Sequence, residues 1–335
     1  MPAGELSSIF SHVTRTATAR EFEFAEYQLS KFLAPAVATR CRSGDTAQWD
    51  ILKADRDKAA ISAAGAPSKR VAMKAAGRRI VRCLHSPEHV MLDGDALENL
   101  RAPGSEEADA EFYVADEQQH LTDRHQALRE YMAAQMLAGS AAYTQDGVSL
   151  TIDYEVATLH KPTAAVSWGT ITTDIPADIE TWKQLIRKDS GREPAHAWMN
   201  QGVMDKLLNN TKVQKFLGEA TMIAEIGQTG RITRLNGLTL HVYDNGYVPS
   251  GGSFTKYIPD DKLILMPEPD KSWVDVQEGS TRIKPLGVDE LVRVFGRHAY
   301  VMLEGDPAGY KLLEDDIFIW TLPVPDAIVY ADVTP

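Results

Sequence analysis

The residues best equipped for chemistry are Cys83, His85 and His89, with Cys41 upstream. Thiolate and imidazole are preferred zinc ligands, so a zinc-dependent enzyme built on Cys83, His85 and His89 is one reading to weigh. The set lacks a C-x-x-C pair, and Pro87 argues against the helix that would turn both histidines to one side. Asp93, Asp95 and Glu98 could face a hard cation, but their spacing falls short of a calcium loop. His241 and Asp244 stand three apart in an alternating segment. On a strand such positions point to opposite faces, so the two are not oriented to share a proton. His120 and His125 lie five apart in a helical segment and diverge by about 140°. The chain has no G-x-S-x-G nucleophile turn, no G-x-x-x-x-G-K-[ST] phosphate loop and no G-x-G-x-x-G. These residues do not assemble into an enzyme, and neither cofactor nor metal is expected.

The elements around them carry more information. The chain has 335 residues, room for about two domains. Its formal charge of -12 opposes long-range attraction to nucleic acid or anionic membranes. Two cysteines give no disulfide framework and fit a reducing cytoplasm. No signal peptide or membrane span is expected.

Charge is distributed in blocks. Residues 46–82 hold nine basic and three acidic residues, and 83–130 hold twelve acidic and three basic ones. Such blocks can pair within a chain or between neighbouring copies. The first reads as a long two-stranded excursion with a turn-rich tip. The second contains a proline-free helix over about 105–139, ~45 Å long at thirty residues, with Leu121, His125, Leu128, Met132 and Met136 as its stripe. Upstream, a helical pattern spans Glu21–Leu33. Its Phe22, Phe24, Tyr27, Leu29 and Phe32 are too scattered for a lone helix to bury, so they need a partner surface, for which another subunit is a candidate. Asp174 is placed to cap a helix that turns Ile179, Trp182 and Ile186 inward, and Asn200–Leu217 reads as a further helical region. Strands are expected over Ser149–Ala157, Leu238–Tyr243 and Lys262–Met266. A last one, Phe318–Val333, is bent by Pro323 and Pro325.

The stretch "VYDNGYVPSGGSFTKYIPDDKLILMP" resembles the Tyr-x-x-x-Tyr-Val, Gly, aromatic-Ile-Pro-Asp, Leu-Ile-Leu pattern of the lambda-type (gene E) major capsid proteins of tailed bacteriophages. The order of arm, excursion, long acidic helix, helix-rich centre and proline-bent C-terminal strand is similar as well. The resemblance implies an α+β chain with the Hong Kong 97-type capsid fold. It implies an N-terminal arm (1–45), an extended loop (46–90), a peripheral domain (91–172 and 305–335) and an axial domain (173–304). It further implies a non-enzymatic shell protein that self-assembles into hexamers and pentamers around double-stranded DNA, in a virion assembled in the host bacterial cytoplasm. Scaffolding protein, portal and a decoration protein are the other implied partners. A cellular nanocompartment shell of the same fold is the alternative.

On this reading the subunit contacts fall at Phe22, Phe24, Trp49, Lys69, Arg70, Arg78, Arg79, Glu106, Glu107 and Asp109. Tyr243, Tyr247, Gly251, Gly252, Pro259 and Asp260 pack and turn the axial domain. Gly251 and Gly252 are expected to supply backbone conformations closed to other residues, and Asp260 and Asp261 to make their turn by local side-chain hydrogen bonds.

Overall fold

The computed structural model describes residues 10–22, 24–35, 37–42, 44–53, 77–92, 107–145, 148–218, 231–249, 252–305 and 308–335. The chain divides into two compact units, each gathered from three stretches. The first takes Met1–Gln48, Ile80–Ala133 and Asp275–Thr321; the second takes Trp49–Arg79, Ala134–Val274 and Leu322–Pro335. Among the described residues the α-helices are α1 (His12–Glu21), α2 (Gln28–Leu33), α3 (Glu107–Leu137), α4 (Ile175–Ser190), α5 (Gln201–Leu208) and α6 (Thr211–Leu217).

The first unit is organised by the strand Ala308–Thr321. It pairs antiparallel with Leu84–Leu92, with His298–Gly305 and with Asp275–Glu278. Thr39–Arg40 adds in parallel to Asp275–Glu278. Residues 275–304, expected with the axial segment, thus contribute two strands to this sheet. Among the described residues Leu84–Leu92 pairs on one side only, which is where a strand tolerates Pro87. Phe10, Leu92, Val114, Leu121, Val301 and Leu312 form a hydrophobic cluster.

Ala308–Thr321 carries Glu314, Asp315 and Asp316 in its middle, and all three are buried. Strand alternation sends them to two faces. Asp316 meets α3, where Arg129 donates to both carboxylate oxygens at 2.5 and 2.6 Å. Burial alone would push the Asp316 pKa up; the charge and hydrogen bonds of Arg129 outweigh it and hold the carboxyl below its ordinary range. The same guanidinium lies 4.8 Å from the Phe318 ring, and its backbone carbonyl accepts from the Trp320 indole at 3.0 Å. Glu314 accepts from Thr122 at 2.8 Å, but burial dominates and pushes it up to about 7. Asp315 takes His85 of the neighbouring strand at 2.7 Å.

The aromatic arm finds its partner inside the chain. Of the expected helix over 21–33 only Gln28–Leu33 forms, as α2; α1 lies upstream and ends at Glu21, and the described residues between them are non-helical. Tyr27 and Leu29 are buried, and α3 supplies the polar contacts that hold their segment. The Tyr27 hydroxyl donates to Asp123 at 2.7 Å, and the Gln126 amide donates to the Phe22 carbonyl at 2.8 Å. Buried Glu130 accepts from the backbone N–H groups of Leu29 and Ser30 at 2.9 and 2.7 Å. A carboxylate there satisfies donors that the first turn of α2 leaves open.

In the second unit a sheet runs in the order Val329–Asp332, Lys262–Met266, His196–Met199, Leu238–Val242, Arg234–Leu235. Leu263, Leu265, Ala197, Met199 and Leu240 share a hydrophobic core with Ile179, Trp182 and Ile186 of α4 and with Val203, Met204 and Leu207 of α5. Trp168 stacks on Trp182 at 5.5 Å. Asp174 caps α4 by accepting from Ala177, with Pro176 in the first turn. The expected helical region Asn200–Leu217 is two helices, because Asn210 turns its side-chain oxygen onto the N–H groups of Lys212 and Val213 and starts α6 afresh.

Two outcomes follow from the buried acids. Arg129→Ala leaves Asp316 charged and unpaired, so denaturant unfolding should show a loss of about 3–5 kcal/mol. Glu314 keeps a proton in the folded state that the unfolded chain sheds near pH 4.3. Its contribution is therefore complete below that pH and is lost as pH rises through about 7. Glu314→Gln should flatten the stability profile across this window by up to roughly 3 kcal/mol, read from denaturation midpoints at several pH values.

Candidate assembly surfaces

The strands Thr46–Ile51 and Gly77–Arg82 form a two-stranded ribbon. The basic tip, with Lys69 and Arg70, lies outside the described residues, as does Glu106. On the ribbon, Arg78 pairs with Asp50 at 2.9 Å, Arg82 pairs with Asp45 at 2.6 Å, and Arg79 meets Glu155. The Arg78 side chain is 65% exposed and that of Arg82 82%, so these bridges are worth little and can be exchanged for other partners. Trp49, expected at a subunit contact, is buried in its own unit, 6.4 Å from Tyr154. Its alternating neighbours Ala47 and Ile51 are buried with it, which assigns the indole to the inward face of the strand.

The side chains of Glu107 and Asp109, in the first residues of α3, lie outside what the structure describes. Further along, Asp116, Glu117, His120 and Asp123 line an open groove with Phe24 and Glu26 of the arm. Phe22 and Phe24 are half-buried. Two residues past the end of the helix stands Gly139, whose φ of +87° suits glycine; a Cβ there would come within 2.9 Å of Val156 and of the Lys161 side chain.

The strand-loop-strand segment is held by rings and by one polar node. Tyr243 is buried between Trp198 (5.9 Å) and Tyr257 (6.3 Å), and Tyr257 stacks on half-buried Tyr247 at 5.6 Å. Gly251 lies outside the described residues. Gly252 is needed for space, since a Cβ would come within 2.6 Å of the Pro249 ring. The Pro259 carbonyl accepts from the Lys262 N–H at 3.2 Å, so the turn is closed by backbone. The aspartates reach further than expected. Asp260 accepts from Asn200 at 2.8 Å and from Lys256 at 2.7 Å, while Asp261 binds Lys206 and Thr334. Asn200 is itself the cap of α5, accepting from the Val203 N–H at 3.0 Å. Composition gave no signal for this node; Asn200 standing just before the helical pattern was the available one.

The cysteine and histidine residues do not converge. His85 and His89 lie on the exposed face of Leu84–Leu92, His85 against Asp315, whose hydrogen bond raises the imidazole pKa. Cys83 turns inward to Cys41. Among the described residues no three His, Cys, Asp or Glu side chains are grouped to hold a metal. His241 stacks on Trp198 at 4.6 Å and faces His196, whereas Asp244 accepts from Lys256, so the two do not pair. No helix among the described residues is long and apolar enough to cross a membrane.

Solved structures similar to this chain place it among the capsid folds. A phage-related protein of Bordetella bronchiseptica RB50 is 16% identical with a TM-score of 0.57, covering 96% of each chain. The protein assigned as a prophage capsid protein in E. coli CFT073 is 15% identical with a TM-score of 0.61, covering 94% of this chain and 96% of that one. The subunit of the bacteriophage PhiM1 mature capsid is 12% identical with a TM-score of 0.52, over 93% and 88% of the two chains. The fold is the Hong Kong 97-type capsid fold. No curated protein matches the sequence. The profile of the phage major capsid protein E family matches residues 38–279, and the chain belongs to that family. It is a capsid shell protein of the virion.

Asn200→Ala removes the α5 cap and leaves Asp260 with Lys256 alone. Urea denaturation should register a loss of about 1–2 kcal/mol, and Asn200→Ser, which keeps a capping oxygen, should recover part of it.

Proposed function

We propose that this chain is the repeating subunit of an icosahedral head, forming hexamers and pentamers around double-stranded DNA. The observation that carries the contact scheme is the match between two surfaces. A ribbon exposes Arg78 and Arg82, close in sequence to the basic Lys69 and Arg70, and a groove gathers Asp116, Glu117, Asp123 and Glu26 around Phe24. The extended loop (46–90) of one copy docks its basic limb, including Lys69, Arg70, Arg78 and Arg79, on the acidic face of α3 in the next. Phe22 and Phe24, with Glu106, Glu107 and Asp109, border the contact. Each such contact is weak and exchangeable, which lets misplaced subunits leave, while the finished lattice is held by number.

The unit built on α4–α6 serves as the axial domain, and the unit built on the long sheet serves as the peripheral domain. The net charge of -12 keeps the wall from gripping DNA phosphates as the genome enters and leaves. The subunit performs no catalysis. It assembles in the bacterial cytoplasm with a scaffolding protein and a portal, and a decoration protein can cap the outer surface.

The test is particle yield. Expressed with its assembly partners, the wild-type chain should give closed shells in negative-stain electron micrographs and a fast boundary in sedimentation. Arg78→Glu with Arg79→Glu should cut the particle fraction at least tenfold and leave a folded subunit by circular dichroism. Unchanged yield would contradict the docking scheme, and folded subunits that never form shells in the wild-type protein would contradict the shell architecture.

A further inference from the structure

Beyond shell building, one pair of side chains has an unassigned chemistry. Cys41 and Cys83 are both free and buried, and their sulfurs stand 3.3 Å apart. They flank residues 42–82, which contain the whole basic ribbon and its tip. Both positions are fixed by backbone hydrogen bonds. The Cys41 N–H donates to the Glu278 carbonyl at 2.9 Å, and the Cys83 N–H donates to the Asp45 carbonyl at 2.7 Å. Gly279 leaves the room for the sulfurs: a Cβ there would approach Cys83 Sγ to 3.3 Å and Ile317 Cγ2 to 2.5 Å. The Gln277 side-chain oxygen, 3.9 Å from Cys41 Sγ, closes the other side. Two cysteines on adjacent, anchored segments need only bring their sulfurs in to about 2.05 Å to bond.

We propose that Cys41 and Cys83 are a redox modification site, closing to an intrachain disulfide when the protein meets an oxidised small-molecule disulfide of the glutathione class. One thiolate attacks the small disulfide, forming a mixed disulfide and expelling one small thiolate. The other cysteine thiolate then attacks the protein sulfur of that mixed disulfide and expels the second small thiolate. Two protein thiols lose two electrons, the small disulfide gains them, and the two released protons end on the small thiols. In a reducing cytoplasm the pair stays open; outside the cell it closes. Closure ties the two roots of segment 42–82 together after the loop has taken its place. The pair lies in contact, but its burial slows entry of the reagent, so closure is a slow, late event.

The experiment uses the full-length protein purified under reductant, then held for hours in oxidised glutathione, denatured in iodoacetamide, digested and analysed by mass spectrometry. The expected result is a peptide pair joining Cys41 to Cys83 that disappears on reduction. It should be accompanied by a rise in melting temperature that dithiothreitol reverses. Cys83→Ser should abolish both effects while keeping the reduced protein's melting temperature within a few degrees. Should Cys83→Ser fail to fold, the wild-type linkage map alone decides. Two alkylated cysteines, two separately glutathionylated cysteines, or links only between chains would each overturn the assignment.

Discussion

Three adjacent carboxylates on the central strand of one sheet set the terms for the first unit. Glu314, Asp315 and Asp316 are buried, and isolated charges in such a place are prohibitive. Each has a different remedy. Asp316 is neutralised by a forked pair with Arg129, Asp315 is met by His85, and Glu314 is pushed up to about 7 by burial, with Thr122 as its donor. Because Arg129 and Thr122 both belong to α3, the helix lies on the sheet in one register only. A sliding helix would strand a charge at every step, so the polar contacts specify what hydrophobic packing alone would leave loose.

The same helix then fixes the arm. Asp123, Gln126 and Glu130 lie three and four residues apart on α3, on one face, and meet Tyr27, the Phe22 carbonyl and the first N–H groups of α2. One helix therefore reads the sheet on one side and the arm on another. Beside Phe24 its Asp116, Glu117 and His120 line an open groove. In a shell-forming family this division of labour is useful: the faces that must not move are buried and paired, and the face left for a neighbour carries contacts that can be made and broken.

Much of this was legible in the sequence, and the illegible part has a common cause. Helix α3 and the strand Lys262–Met266 follow from patterns that local physics enforces, as does α4 with its Asp174 cap. The segment 242–267 carried the most specific part of the family resemblance, with the order of the elements in support. The strand Ala308–Thr321 was read only from Phe318 onward, because Lys-Leu-Leu-Glu-Asp-Asp looks like a solvated surface until Arg129, distant in the chain, is brought to it. Glu130 was likewise invisible, since its partners are backbone groups. The burial of Trp49 was not legible, because an aromatic beside a charged excursion reads equally well as an interface or as an anchor. Polar groups that pair across long sequence separations leave no periodicity, so periodicity could not find them.

A cryo-electron reconstruction of assembled particles tests the central claim most directly. The account expects a closed shell of Hong Kong 97-type subunits in which the Gly77–Arg82 strand of one copy lies along α3 of another, with Arg78 and Arg79 within ion-pair distance of that copy's acidic groove. A shell in which both arginines keep Asp50 and Glu155 of their own chain, with no neighbouring carboxylate in reach, would contradict it.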